Sequence, residues 1–289
     1  MIRSIRTALA TAALFALAGQ ALAQGALSGT LKTIQARKSV LVGYVKDAFP
    51  MSFAGEGGKA QGYSIDLCER IAQEAGNAAG LPQVEVVYVP VALDERFDAV
   101  ARGKVDIECA TSTITLARMQ KVDFTYITFL DGGSLLVKRG SAIHSIAGLV
   151  DETVGVIPGT TTEPALREAL ARSYIQAKVV PVKDHAEGMA ALQAGRITAY
   201  ASDRVILIGL LMKAANREAF TIAPEQFSVE PYGFALRRND SDFRLVANRV
   251  LARMYRSGEV LKVFDKWFGS VGQPTPALLG MYLLQATPE

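Results

Sequence analysis

Apolar runs of strand length alternate with helical patterns along most of the chain. Ser39 to Val45 and Val84 to Val89 read as short buried strands. Between them, Ser64 to Ala75 places Ile65, Leu67, Cys68, Ile71 and Ala72 on one face at helical spacing. Leu93 to Arg102 reads as a further helix stopped by Gly103, a residue favoured just past a helix end. Lys104 to Cys109 then reads as a buried strand, and Asp242 to Arg256 and Glu259 to Phe268 as two late helices. Strands alternating with helices in this way predict an α/β fold with largely parallel sheets. The last segment, Ser270 to Glu289, carries no such pattern and is expected to extend along the surface.

A weak internal echo sets the domain count. Phe97 to Asp106 and Met189 to Thr198 share the order helix, glycine, base and strand. Leu41-Val42-Gly43 and Val154-Gly155-Val156 each open a unit as a strand running into a polar loop. Two similar lobes are the economical explanation. The chain leaves the first lobe around Leu130 to Gly133 and returns at Val229 to Gly233, where glycine and proline suit two hinge crossings. The expected division is residues 24–131 plus 232–289 for lobe 1 and 132–231 for lobe 2.

Composition changes the picture at the N-terminus. Arg3 and Arg6 form a basic start, Ala8 to Ala18 an apolar core, and Ala21-Leu22-Ala23 a small-residue cleavage site before Gln24. Residues 1–23 therefore read as a cleavable signal peptide. Its removal takes two arginines from a formal charge of +3, leaving +1. A nearly neutral chain gives no footprint for nucleic acid. Val205 to Met212, the clearest later apolar run, is too short to span a bilayer. Cys68 and Cys109 are the two cysteines; export permits a disulfide between them, and two separately buried thiols is the alternative.

The densest candidate chemistry lies in Ala110 to Arg118, where Thr111, Ser112, Thr113 and Thr115 precede Arg118 at a strand opening. A guanidinium holds a carboxylate through two parallel charge-assisted bonds, and threonine oxygens accept from an ammonium. A zwitterion requires both; a polar loop with a solvated arginine requires neither. Gly159-Thr160-Thr161-Thr162 sits between a strand and a helix start, where backbone N–H groups attract an anion and Thr162 is the expected cap. Asp203, read by itself, is an N-cap for the helix that follows.

From about Leu31 to Gly269 the chain resembles the polar amino-acid-binding proteins, solute-binding family 3, that feed bacterial ABC importers. The resemblance rests on Gly62-Tyr63-Ser64-Ile65-Asp66-Leu67, Thr113-Ile114-Thr115-x-x-Arg118, Val122-Asp123-Phe124, Gly159-Thr160-Thr161, Glu230-Pro231-Tyr232-Gly233 and Lys266-Trp267-Phe268-Gly269. Glu108-Cys109-x-x-Ser112-Thr113 and Lys183-Asp184-His185 are most similar to the glutamate/aspartate-binding branch. It implies a two-lobed periplasmic-binding-protein fold of type II that closes on one L-amino acid, expected to be glutamate or aspartate. Arg118 takes the place of the carboxylate clamp, Thr113 supplies a hydroxyl, Thr111 its backbone, Thr160 and Thr161 the second lobe's grip, and Asp203 the ammonium partner. Arg96, His185 and Thr111 stand where that branch contacts the distal carboxylate. Arg96 on a solvated helix face and His185 as a helix cap are the alternatives. The chain departs from the branch at Val45, with Lys46 beside it, and at Leu93; both changes make the pocket less cationic. The resemblance also implies a periplasmic, monomeric, cofactor-free protein with an ABC permease as partner. The competing reading is a dehydratase of the same fold acting on prephenate-like acids, for which Glu163 and Glu108 are the conceivable acid or base.

Overall fold

The computed structural model describes residues 27–289; the expected signal segment lies outside the described residues. After helix α1 (Gly29–Arg37), strand β1 (Ser39–Tyr44) forms an interior strand of a first sheet, next to its edge. A small meander of β2 (Asp47–Ala48), β3 (Ser52–Ala54) and β4 (Ala60–Gln61) leads into helix α2 (Tyr63–Ala78). Strand β5 (Glu85–Pro90), helix α3 (Arg96–Ala101), strand β6 (Ile107–Glu108), helix α4 (Leu116–Met119) and strand β7 (Val122–Phe124) complete the outward course. Helix α2 is longer than the pattern predicts, and its expected inward residues Ile65, Leu67, Cys68, Ile71 and Ala72 are buried. Helix α3 is shorter, because the chain first makes a turn in which the Glu95 N–H donates to the Ala92 carbonyl.

Strand β8 (Phe129–Asp131) carries the chain to a second sheet of β9 (Gly133–Lys138), β10 (Thr153–Val156), β11 (Lys178–Pro181), β12 (Ala199–Asp203) and β13 (Phe220–Ile222). Helices α5 (Thr162–Arg172), α6 (His185–Gln193) and α7 (Arg204–Lys213) follow β10, β11 and β12. Strand β14 (Glu230–Tyr232) returns antiparallel to β8, pairing Glu230 with Asp131 and Tyr232 with Phe129. Strand β15 (Ala235–Arg237) then re-enters the first sheet, followed by α8 (Ser241–Ser257), α9 (Glu259–Phe268) and α10 (Pro276–Leu284).

The sheet orders are β5-β1-β6-β15-β7 and β11-β10-β12-β9-β13. In each, three strands are parallel and the last two run antiparallel to their neighbours. The sheets are thus less parallel than predicted. A strand arriving directly from a hinge crossing has no crossover helix to reverse it, so it pairs antiparallel. The echo between Leu41-Val42-Gly43 and Val154-Gly155-Val156 corresponds to β1 and β10, the same position in each sheet.

The C-terminal segment does not simply lie along the surface. Thr275 caps α10 by accepting from the Leu278 N–H, Pro276 sits in the first turn, and Leu278, Met281 and Tyr282 are buried in the first lobe's core. The Tyr282 hydroxyl meets that of Tyr63 at 2.7 Å, and Gln285 accepts from the Ile127 N–H at 2.8 Å. Cys68 and Cys109 are joined as a disulfide with their Cα atoms 6.3 Å apart, stapling α2 to the end of β6. The lobes also touch away from the hinge. A Cβ on Gly209 of α7 would meet the Phe49 carbonyl at 2.0 Å, so a side chain there would displace lobe 1 backbone.

Candidate functional site

The two sheets face each other across a cleft whose floor is the hinge pair β8–β14. On the first-lobe side, the loop after β6 is tied to the hinge. The Ile114 N–H donates to the Pro231 carbonyl at 2.8 Å, and the Gly233 N–H to the Ser112 carbonyl at 3.0 Å. The Thr115 hydroxyl caps α4 by accepting from the Arg118 N–H at 3.1 Å, which fixes the backbone of Arg118. The Arg118 guanidinium donates to the Thr113 carbonyl at 2.7 Å and lies 4.9 Å from the Phe97 ring centroid. Arg96 stands 4.4 Å from the same ring, so the two guanidinium groups share one aromatic.

Arg96 is buried rather than solvated, at 4% exposure. It donates to the Leu93 carbonyl and, through Nε, to the Ser112 hydroxyl at 3.0 Å. Ser112 in turn donates to Glu108 Oε2 at 2.8 Å, while Glu108 Oε1 is buried with no partner. Burial lowers the Arg96 pKa to about 10 and raises that of Glu108, and their mutual attraction opposes both shifts. Glu108 is therefore the counter-charge of Arg96, held inside the lobe.

The second lobe presents the start of α5. Thr161, not Thr162, occupies the N-cap position, and its hydroxyl donates to Glu230 Oε2 at 2.8 Å. That uses its single proton, so the 3.2 Å contact between Thr113 and Thr161 has Thr113 as donor. This is a hydroxyl bridge across the cleft. Thr160 turns its hydroxyl to the Ile157 carbonyl at 2.8 Å. The displaced cap, Thr162, donates to Asp203 Oδ1 at 2.8 Å. Asp203 occupies the N-cap position of α7, yet its carboxylate makes no cap bond; Oδ2 accepts instead from the Tyr232 hydroxyl. Burial and then the nearby Glu230 raise the Asp203 pKa, while Tyr232, Thr162 and Arg118 oppose the rise.

Arg118, Thr113, Thr161 and Asp203 are brought together, with Thr111 half-buried on the same loop. Lys46 and His185 belong to another wall. Lys46 is exposed at a cavity of about 840 Å³ between the lobes, lined also by Asp47, Leu93, Gly159, Lys183 and Asp184. His185 is not a cap, since the Asp184 side chain takes that role by accepting from the Glu187 N–H. The imidazole is buried, its Nδ1 2.8 Å from the Tyr200 hydroxyl, and burial lowers its pKa. Burial therefore favours the neutral imidazole, held against Tyr200 rather than lining the cavity. Val45 is buried and cannot replace a cation. Glu163 sits in the first turn of α5, paired with Arg167 at 3.0 Å. Reading the residues one by one missed Glu230, Tyr232 and Asp131, the polar groups of the cleft floor. Their signal was position: all three lie in the segments recognised as hinge crossings.

The family pattern of bacterial extracellular solute-binding proteins, family 3, matches residues 40–270. This chain belongs to that family. It is 33% identical over 269 residues to the L-glutamate/L-aspartate-binding protein of Pseudomonas aeruginosa, covering 93% of this chain and 88% of that protein. It is 31% identical to the glutamate/aspartate import solute-binding protein of Escherichia coli, covering 84% and 80%. Among solved structures, an ancestral amino acid-binding protein described as a precursor of cyclohexadienyl dehydratase matches with a TM-score of 0.72 and 32% identity, over 83% of this chain and all of that one. The fold is the two-lobed type II periplasmic-binding architecture, and the chain is an amino-acid solute-binding component of ABC import.

Proposed function

We propose that this solute-binding protein captures an acidic L-amino acid, glutamate or aspartate, in the periplasm and hands it to an ABC permease. The observation that carries the reading is the hydroxyl bridge between Thr113 and Thr161, flanked by Arg118 on one lobe and Asp203 on the other. A zwitterion needs a cation for its carboxylate and an anion for its ammonium, spaced by short donors and acceptors. Arg118 supplies the first and Asp203 the second, with Thr113, the Thr111 backbone and the Thr160–Thr161 turn between them. Closing residues 24–131 plus 232–289 onto 132–231 about the two hinge strands would bury the amino acid between both groups.

The acidic side chain is supported by Arg96 and by the relatives' glutamate/aspartate preference. His185 adds a neutral hydrogen-bonding group, while Lys46 and Lys183 at the cleft mouth stand among Asp47, Asp94 and Asp184, which offset their charge. Val45 and Leu93 subtract cationic and polar contacts from that pocket, so selectivity for acidic ligands rests mainly on Arg96. The reading is a non-catalytic one. Glu163 is engaged with Arg167 on the helix surface, and Glu108 is engaged with Ser112 within the lobe.

Thermal unfolding of the mature protein against the twenty L-amino acids, and against prephenate, tests the reading. A ligand at about 100 times its dissociation constant adds about 2.7 kcal/mol of stability. L-glutamate or L-aspartate is expected to give the largest upward shift. A shift from another amino acid with none from these two defeats the acidic assignment. Turnover of prephenate defeats the transport reading.

A further inference from the structure

Tyr232 stands between two buried carboxyl groups. Its hydroxyl is hydrogen-bonded to Asp203 Oδ2 and lies 3.2 Å from Asp131 Oδ2. Burial and the adjacent carboxylates hold the Tyr232 pKa well above its ordinary value, so the phenol keeps its one proton. One phenol proton serves one of the two carboxyl groups, so the other contact is a hydrogen bond only where that carboxyl group carries a proton of its own. Asp203 is already served by the Thr162 hydroxyl on its other oxygen. Asp131 Oδ2 also accepts the Val205 N–H at the start of α7, at 2.9 Å.

The surroundings of Asp131 are short of positive charge. Asp203 faces it from the end of β12, and Glu230 is its register partner on β14. Arg118 reaches toward Asp203 and Glu230 from α4. Arg204, the next cation on α7, gives Nη1 to the Ala223 carbonyl at 2.9 Å.

We propose that Asp131 is a positioning residue of the amino-acid clamp: in the empty protein it carries the proton that bridges to Tyr232, and an α-ammonium arriving at Asp203 releases that proton to solvent. The proposal rests on the reading of Asp203 as the ammonium partner. In the empty state the Asp131 carboxyl O–H donates to the tyrosine oxygen, and Tyr232 donates to the Asp203 carboxylate. When the ammonium adds a positive charge beside Asp203, the Asp131 O–H bond breaks and its proton leaves to water. Tyr232 keeps its own proton, and Asp131, now charged, accepts from the Val205 and Gly132 N–H groups.

The pH window follows from the state of the empty protein. Burial, and then the Asp203 charge, push the Asp131 pKa up to about 7. Below that pH the empty protein carries the proton and binding must expel it; above it there is none to expel. Affinity therefore rises with pH by up to about tenfold per unit below pH 7 and levels off above it.

Two measurements on the mature protein test this. The first is infrared spectroscopy of the ligand-free protein, which should show a protonated carboxyl band at about pH 6 that is absent from Asp131→Asn. The second is calorimetry with L-glutamate, L-glutamine and L-arginine in buffers of different ionisation enthalpy. Close to one proton should be released per amino acid bound by the wild type at about pH 6, and almost none at about pH 8.5. Asp131→Asn, whatever its affinity, should release no proton on binding and show a flat pH profile; Tyr232→Phe should lose the coupling as well. A wild-type spectrum without the band defeats the shared proton whatever binds, and equal proton release from wild type and Asp131→Asn defeats its assignment. Failure of all three amino acids to bind defeats instead the clamp reading on which the release depends.

Discussion

At the scale of single residues, the decisive interactions are carried by buried charges that hold one another in place. Arg96 looked from sequence like a separable contact for a ligand's side chain. In the fold it also neutralises Glu108 through Ser112, deep in the lobe. The two charges do not touch but are bridged by the Ser112 hydroxyl, and removing one member of a buried charge pair leaves the other without compensation, at about 3–5 kcal/mol for pairs in direct contact. Arg96→Ala is therefore expected to lower the urea-unfolding free energy by about 3 kcal/mol, besides its effect on acidic ligands. Arg96→Met combined with Glu108→Gln should recover most of that loss. A single variant as stable as wild type would contradict the pairing. Residue chemistry pointed to Arg118 and Thr113 as groups a zwitterion needs, whereas Asp203, an N-cap when read by itself, was drawn in only by the family resemblance. Residue chemistry could not show that Thr161 rather than Thr162 takes the N-cap position of α5, since three consecutive threonines offer the same cap chemistry. Nor could it show that Tyr232 serves two carboxyl groups, which depends on strands distant in sequence meeting at the hinge.

At the scale of elements, periodicity identified most of the helices and strands. Helices α8 and α9 lie within a residue or two of their expected limits, since each has a strong apolar face and a clear stop at Gly258 or Gly269. The tail was misread because α10 is apolar nearly all round and short, so it lacks the polar face that marks a surface helix. It packs under α8 and the hinge, where Tyr282 and Gln285 hold the first crossing to lobe 1. The disulfide acts at this scale too, closing a 41-residue separation between α2 and β6. A loop of that length corresponds to about 4 kcal/mol of chain-entropy stabilisation. The Cys68→Ala/Cys109→Ala protein is expected to unfold at lower denaturant concentration by an amount of that order. An unchanged midpoint would show that the staple contributes nothing to the lobe.

At the scale of the whole molecule, two sheets of matching order meet across a two-stranded hinge, and polar groups from both lobes converge on its floor. The repeat in sequence was enough to predict two lobes, because the same strand-and-loop unit recurs in each, at β1 and at β10. It was not enough to predict the contacts between the lobes, in which Thr113 reaches Thr161 and Gly209 abuts Phe49. Those contacts depend on how the lobes approach, which no local pattern encodes. The central claim is that this approach clamps one amino acid through Arg118. Isothermal titration of L-glutamate into wild type and Arg118→Ala tests it most directly. The wild type should bind at one saturable site per chain, and the variant should bind at least about 100-fold more weakly, a loss of about 2.7 kcal/mol. Equal affinities for the two proteins would contradict it.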